Sequence, residues 1–453
     1  MAFQISLSDL VAVTGGKLLD DAGILTSRAG FSVSTDTREI CPQDWFLALT
    51  GERFNGHEFV AKAIAQGAAG VIVQEPVATQ PQLQVADTLT AYQAIARWWR
   101  QQLATPLVAV TGSVGKTTTK ELIAAALQTQ GAVLKTQANY NNEIGVPKTL
   151  LALTPEHRYG VIEMGMRGLG QIELLTQIAE PNVAVITNVG TAHIELLGSE
   201  QAIADAKCEL LAQLSPTGMA VINYDNARLI KTAANVWSGR QITYGLTGGD
   251  IQGKLLSPSE MEVNGVTLPL PLPGQHNALN FLAAIAVMAA FGLDWHILQA
   301  GLTVTLPSGR ASRVTVSNDI VLLDETYNAG AESMQAALQL LKQTPGKRHI
   351  AVLGTMKELG THSARLHAQV GRCVADLQLD GLLTLADPVE TQALAQGAGT
   401  VPVHSFEDAA TLIEHLQNLL QPGDRVLFKA SRAVALDQVV DALKPALTSP
   451  SAK

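Results

Sequence analysis

The sequence predicts an α/β protein of three domains: a small mixed α/β amino-terminal domain, a central domain on a parallel sheet, and a Rossmann-like carboxyl-terminal domain. Three observations carry this expectation. Short apolar runs alternate with amphipathic segments over most of the 453 residues, as strands do when crossover helices join them into a parallel sheet. One run, Leu107 to Thr111, leads straight into a glycine-rich loop and a helix-forming stretch. Two breaker sequences, Thr105-Pro106 and Leu306-Pro307-Ser308-Gly309, interrupt the pattern and set the domains at residues 1–104, 105–309 and 310–453.

The first domain ends in a helix-like segment, Leu89 to Leu103, which carries the Arg97-Trp98-Trp99-Arg100 cluster. In the second, Leu107 to Thr111, Gly160 to Glu163, Val183 to Thr187 and Met219 to Asn223 read as strands. Ala202 to Gln213 is helical by pattern, and Gly274-Gln275-His276-Asn277-Ala278-Leu279-Asn280 opens an apolar, Ala-rich helix. Alternation then resumes with Ile320 to Leu323, His349 to Leu353, Gly381 to Leu385, Val401 to Val403 and Arg425 to Phe428. Thr448 to Lys453 reads as a loose tail.

Composition narrows the function classes. Nearly half the residues are hydrophobic (47%), enough for large buried cores, and the net charge of −9 argues against broad nucleic-acid binding, which needs a basic face. The three cysteines, Cys41, Cys208 and Cys373, have neither metal-ligand spacing nor an even disulfide framework, so a reducing cytoplasm is the expected home. Asp9 interrupts the first apolar stretch and no basic start precedes it, unlike a signal peptide. Phe281 to Leu293 is too short to span a bilayer, so a buried helix is expected and membrane insertion is not.

The chemistry starts at Val108-Ala-Val-Thr-Gly-Ser-Val-Gly-Lys-Thr-Thr-Thr119. A loop of this kind cradles phosphate oxygens with backbone N–H groups and aims a helix amino terminus at them. The expected ATP contacts are therefore Gly112, Ser113, Val114, Gly115, Lys116, Thr117 and Thr118, with Lys116 at the outer phosphates and Thr117 on magnesium. The motif is the short Gly112-x-x-Gly115-Lys116-Thr117 form, Val110 standing where the usual loop has glycine. It makes the central domain P-loop ATPase-like. Other polar residues sit where strands end, the ligand side of an open α/β sheet: Glu163, Asn188 with His193, Asn223 with Asp225, Asp324, and Lys429-Ala430-Ser431-Arg432. Thr117 and Glu163 suit one magnesium ion, although a lone glutamate there also caps helices or pairs with arginine. Lys207 reads on pattern as a solvated charge, and His193 as a structural histidine. His276, Asn277 and Asn280 either cap their helix or bond a nucleobase.

Seven motifs in order extend the reading. Thr111-Gly-Ser-Val-Gly-Lys-Thr-Thr-Thr119, Asn139-Tyr-Asn-Asn-Glu-Ile-Gly-Val-Pro147, Glu163-Met-Gly165, Thr187-Asn-Val-Gly-Thr-Ala-His193, Ala206-Lys-Cys-Glu209, Gly274-Gln-His-Asn277 and Gly309-Arg310 together resemble the ATP-dependent Mur ligases of peptidoglycan synthesis. Asp324-Glu-Thr-Tyr327-Asn328-Ala329, Leu353-Gly-Thr-Met356-Lys-Glu-Leu-Gly360 with His367, and Lys429-Ala-Ser431-Arg432 are most similar to the members that join D-alanyl-D-alanine to UDP-N-acetylmuramoyl-tripeptide. The resemblance implies a ligase, a monomer in a bacterial cytoplasm, working through an acyl phosphate. The first domain would hold the UDP-sugar peptide through Asp36, Thr37, Arg38, Gly51, Asn55, Gly56 and His57, within Asp36-Thr-Arg38 and Leu49-Thr-Gly-Glu-Arg53-Phe-Asn-Gly56-His57. ATP would add Asn277, Asn280, Arg310 and Asp324 to the loop contacts, and the dipeptide would meet Tyr327, Asn328, Lys429, Ser431 and Arg432. Lys116, Glu163, His193, Lys207 and Arg310 become the catalytic set. Two magnesium ions are implied, with Thr117 and Glu163 at one, and His193 with a carbamate on Lys207 at the other.

The third domain departs from the family at three points: Gly330-Ala331 replaces a closing Asn-Pro, Thr355 replaces aspartate, and Ala430 replaces glycine. These bear on the amino substrate rather than on ATP. The rival readings are a sister ligase that adds a diamino acid, whose specificity motif is not found here, and a P-loop ATPase switch that makes no bond.

Overall fold

The computed structural model describes residues 3–19, 30–51, 54–78, 81–316 and 319–448. Glu52 and Arg53 of the amino-terminal motif, and the expected tail beyond Thr448, lie outside the described residues.

The first unit is a five-stranded sheet in the order Lys17–Leu19, Gln82–Gln84, Gly70–Val73, Trp45–Leu47, Val33–Ser34, parallel except for its first strand. Its long helix, Thr88–Gln101, starts where the Asp87 carboxylate accepts the Thr90 N–H at 2.6 Å. Ala91, Ile95 and Trp99 recur every four residues and form its buried stripe. The helix also docks outward: Trp99 Nε1 donates to the Leu153 carbonyl, the buried Arg100 guanidinium to the Ala179 carbonyl, and Gln93 to the Glu143 carbonyl. All three acceptors belong to the next unit.

That unit holds nine strands, in the order Val266–Pro269, Glu260–Val263, Ile251–Ser257, Arg240–Gly245, Met219–Asn223, Val183–Ile186, Leu107–Thr111, Tyr159–Glu163, Val133–Lys135. Parallel pairing runs from Val133–Lys135 through to Ile251–Ser257, and the last two strands fold back antiparallel. The expected parallel sheet is thus the core of a mixed one. Leu107–Thr111 is buried on both faces, as its unbroken apolar sequence requires. The Ala-rich helix Gln275–Ala290 is apolar nearly all round because it packs against both the sheet and the neighbouring helix Lys116–Gln128.

The third unit orders its strands Ser312–Val316, Ile320–Asp324, Asp424–Lys429, Arg348–Gly354, Gly381–Leu385, Val403–Ser405, parallel except at the Ser312–Val316 edge. One expected strand moves. Val401 donates its N–H to the Ala398 carbonyl and Pro402 has no N–H, so the ladder forms over Val403–Ser405 instead of Val401 to Val403.

Candidate active site

The glycine loop is built by its neighbours. Gly112 has φ +154° and Gly115 φ +83°. A Cβ on Gly112 would lie 1.9 Å from Thr187 Oγ1, and one on Gly115 2.7 Å from Asn280 Oδ1, so neither position admits a side chain. Asn188 clamps the loop, accepting the Val114 N–H at 3.0 Å and the Ser113 N–H on its own carbonyl at 3.1 Å, and donating to the Val114 carbonyl at 2.9 Å. Two donors expected at phosphate, on Ser113 and Val114, are therefore committed to Asn188. What remains is the start of Lys116–Gln128, whose first-turn N–H groups have no side-chain cap.

Charged groups converge on this loop. Lys116 Nζ donates to the Gly112 carbonyl at 2.8 Å. Burial pulls its pKa down, the Glu163 charge opposes that, and Arg310 adds to it. Thr117 and Glu163 are both buried. Glu163 accepts from Asn141 Nδ2 at 2.8 Å through one oxygen, while the other, 3.7 Å from Lys120 Nζ, accepts no hydrogen bond. Lys207, read on pattern as a surface charge, is only 1% exposed. Burial, and then the Lys116 charge, hold its amine well below the ordinary lysine range. Asn277 and Asn280 are buried at the start of the Ala-rich helix: Asn277 donates to the Pro273 carbonyl, and Asn280 accepts from Thr119 Oγ1 at 3.0 Å.

The third unit closes over this edge. The Arg310 guanidinium lies 4.0 Å from the centre of the Tyr327 ring, and its buried Nε makes no hydrogen bond. Asp324 accepts the Thr326 N–H and hydroxyl, Lys429 is buried with Nζ donating to the Asn328 carbonyl at 3.1 Å, and the exposed Arg432 pairs with Asp437. Ser431 Oγ accepts the Lys357 N–H. Two carboxylates reach across from this unit: Glu332 accepts the Thr191 N–H at 2.7 Å and its hydroxyl at 3.1 Å, and Glu358 meets His193 Nδ1 at 2.5 Å.

On the other side, a cavity of about 630 Å³ opens between the first unit and the central one. Asp36, Thr37, Arg38 and Gly56 line it, together with Phe54, Phe59, Lys62, Tyr140 and Lys148; Gly51, Asn55 and His57 are not among its lining residues. Asn55 and His57 brace the wall instead, Asn55 accepting the His57 N–H and His57 Nε2 accepting the Gln74 N–H at 3.0 Å. Arg38 hydrogen-bonds Asp36 and holds its carboxyl down to about 2.

Three family models cover the chain: the Mur ligase family, catalytic domain, matches residues 32–132, the Mur ligase middle domain 110–288, and the Mur ligase, glutamate ligase domain 309–432. The chain belongs to the Mur ligase family. A curated Synechocystis protein, UDP-N-acetylmuramoyl-tripeptide--D-alanyl-D-alanine ligase, is 54% identical, with 98% of each chain covered. Among solved structures, MurF from Acinetobacter baumannii superposes with a TM-score of 0.90 at 32% identity, covering 98% of this chain and 99% of that one. MurF ligase from Thermotoga maritima, in complex with ADP, superposes at 0.83 with 30% identity, covering 92% and 98%.

Sequence reasoning missed several of this Mur ligase's site neighbours. Tyr140 lies in the Asn139–Pro147 motif and Lys148 directly follows it, and the Lys148 ammonium stands 5.3 Å from the Tyr140 ring centre on the cavity wall. The available signal was their place in and next to that motif, since they stand eight residues apart and meet only in the fold. Glu332 carried none, because its partner is 141 residues away.

Proposed function

We propose that this Mur ligase uses ATP to join D-alanyl-D-alanine to UDP-N-acetylmuramoyl-tripeptide, giving the UDP-linked pentapeptide. The observation that carries it is 54% identity over almost the whole chain to a Synechocystis protein named for that reaction. The uridine nucleotide would enter the cavity lined by Asp36, Thr37, Arg38 and Gly56, ATP would lie on the glycine loop, and the dipeptide would meet Tyr327, Asn328, Lys429, Ser431 and Arg432. The same reading sets the chain in a bacterial cytoplasm as a monomer, which sedimentation checks.

In the reaction a tripeptide carboxylate oxygen bonds to the γ-phosphorus as the bond to the ADP oxygen breaks. The dipeptide amine then attacks the acyl carbon, and the tetrahedral adduct loses inorganic phosphate and a proton. Lys116, anchored by the Gly112 carbonyl, puts a fixed positive charge at the transferring group, and Arg310 adds a second from the third unit. The Asn188 clamp keeps the loop in one shape, so little reorganisation accompanies the transfer.

The residues fit magnesium. Among the described residues no three His, Cys, Asp or Glu side chains form a metal site, so an ion here would rely on phosphate oxygens and water, as magnesium does. Glu163 offers a buried oxygen with no hydrogen bond, and Thr117 a buried hydroxyl. Burial lowers the Lys207 pKa and so favours the unprotonated amine, the form that adds to carbon dioxide; the resulting carbamate, with release of one proton, would turn a cation into an anionic ligand beside His193. Bound there, magnesium neutralises phosphate charge.

The test is phosphate release with ATP, magnesium and UDP-N-acetylmuramoyl-tripeptide, comparing D-alanyl-D-alanine, diaminopimelate with the dipeptide precursor, and no amine. Release that requires D-alanyl-D-alanine, with a pentapeptide product by mass, is expected. Turnover only with the earlier precursor, or release indifferent to the acceptor, overturns the reading.

A further inference from the structure

We propose that Glu358, supplied by the third unit, is a positioning residue for His193: it holds the imidazole through Nδ1 and leaves Nε2 as the lone pair for a divalent cation. The inference rests on the reading of His193 as a metal ligand. A neutral imidazole carries one N–H, and a carboxylate facing Nδ1 selects the tautomer that has its proton there. Glu358 Oε2 and His193 Nδ1 are 2.5 Å apart, across the boundary between two units.

Backbone geometry supports a built contact. His193 has φ +66° and Glu358 φ +62°, a left-handed conformation that costs residues other than glycine free energy. Two such residues face each other, so the surrounding structure holds both in place. The loop that carries Glu358 is braced on several sides: the Met356 N–H donates to His367 Nε2 at 2.9 Å, the Lys357 N–H to Ser431 Oγ at 2.9 Å, and Lys357 Nζ to Asp387 at 2.6 Å. The Glu358 carbonyl also accepts the Glu195 N–H at 3.3 Å, tying the loop to the turn that follows His193. Ser431, expected at the amino substrate, therefore also holds this loop. Because the carboxylate comes from another unit, His193 is oriented only while the third unit is docked, and cation binding must favour docking in return.

The experiment uses the full-length protein with ¹⁵N-labelled histidine rings, the His193 signals being assigned by their loss in His193→Gln. Glu358→Gly removes the carboxylate and suits a φ of +62°, so it should fold; Glu358→Gln keeps an acceptor. Long-range ¹H–¹⁵N spectra should show the Nδ1–H tautomer in the native protein and in Glu358→Gln, and a shift toward Nε2–H in Glu358→Gly. Mn²⁺, titrated by EPR with ADP present, should bind Glu358→Gly about 10–100-fold more weakly, the usual range for loss of a partner behind a metal-binding histidine, with Glu358→Gln near native. An unchanged tautomer and unchanged Mn²⁺ affinity in Glu358→Gly, while His193→Ala binds Mn²⁺ weakly, overturn the role of Glu358. Native Mn²⁺ affinity in His193→Ala overturns the metal reading and the proposal with it.

Discussion

Lys116 illustrates how one side chain is set for its task. Its Nζ is anchored by the Gly112 carbonyl, so the side chain is held in place rather than solvated; burial pulls its pKa down and the Glu163 charge opposes that. Lys116→Ala should lower kcat about 10²–10³-fold, equivalent to about 3–4 kcal/mol of transition-state stabilisation, while the fold is kept. Near-native turnover in a phosphate-release assay would remove Lys116 from the chemistry. His367 is fully buried and neutral: Nδ1–H donates to the Ser363 carbonyl, Nε2 accepts the Met356 N–H, and burial pushes its pKa below the usual histidine value. Below about pH 6.5 the unfolded chain takes up this proton and the folded one does not, until the lower folded pKa is reached. Stability should therefore fall with falling pH across that window, by at most about 1.4 kcal/mol per pH unit from this group. Urea midpoints compared between native protein and His367→Gln should show a shallower acid slope in the variant; equal slopes would mean that His367 does not titrate this way.

The strand, loop and helix from Leu107 to Gln128 form the unit on which the site depends. The strand needs only apolar residues, whereas the loop needs glycine where Thr187 presses on Gly112. Gly112→Ala should cost about 1–3 kcal/mol of stability through backbone strain, and more in ATP affinity, because the loop must open to admit a methyl group. Gly168→Ala, with nothing within 4 Å of the added carbon, is the matched control. Isothermal titration with ADP reads both variants, and equal affinity in the two would contradict the packing argument. The Ala-rich helix contributes to the same element, since Asn280 reaches the helix after the loop through Thr119.

Across the whole molecule, the central unit is held from two sides by different means. On one side Trp99 and Arg100 donate to main-chain carbonyls from a buried face, a contact that should stay fixed. On the other, two carboxylates reach into the Gly190–His193 turn, contacts that any movement of the third unit away from it would break. Glu332→Ala removes the acceptor of the Thr191 N–H, and a hydrogen bond to a charged group is worth about 1.5–3 kcal/mol, so exchange of that amide should quicken by about tenfold or more. Small-angle scattering should show a wider distribution of shapes for the variant. Unchanged exchange at Thr191 would show that the contact does not hold the units together.

Features that rest on neighbours in the chain were legible in the sequence. Leu107–Thr111, Met219–Asn223 and Gly381–Leu385 were read at their observed limits, because a fully buried parallel strand is a bare apolar run between polar ends. The strands Val133–Lys135 and Arg240–Gly245 and the antiparallel hairpin after them were not read, since they are partly exposed and their mixed sequence resembles a loop. The same division runs through the site. The glycine loop, Glu163 and Asp324 could be named from their place at strand ends, where α/β sheets gather ligands. Lys207 looked like a surface residue, since Asp205 and Glu209 flank it; its burial follows from how the helix Glu200–Ala212 packs. Glu358 meets His193 across 165 residues, and Glu332 meets Thr191 across 141. Local patterning specifies strands, turns and phosphate loops because their physics is local, but the partner of a charged group depends on which surfaces meet when separately formed units dock.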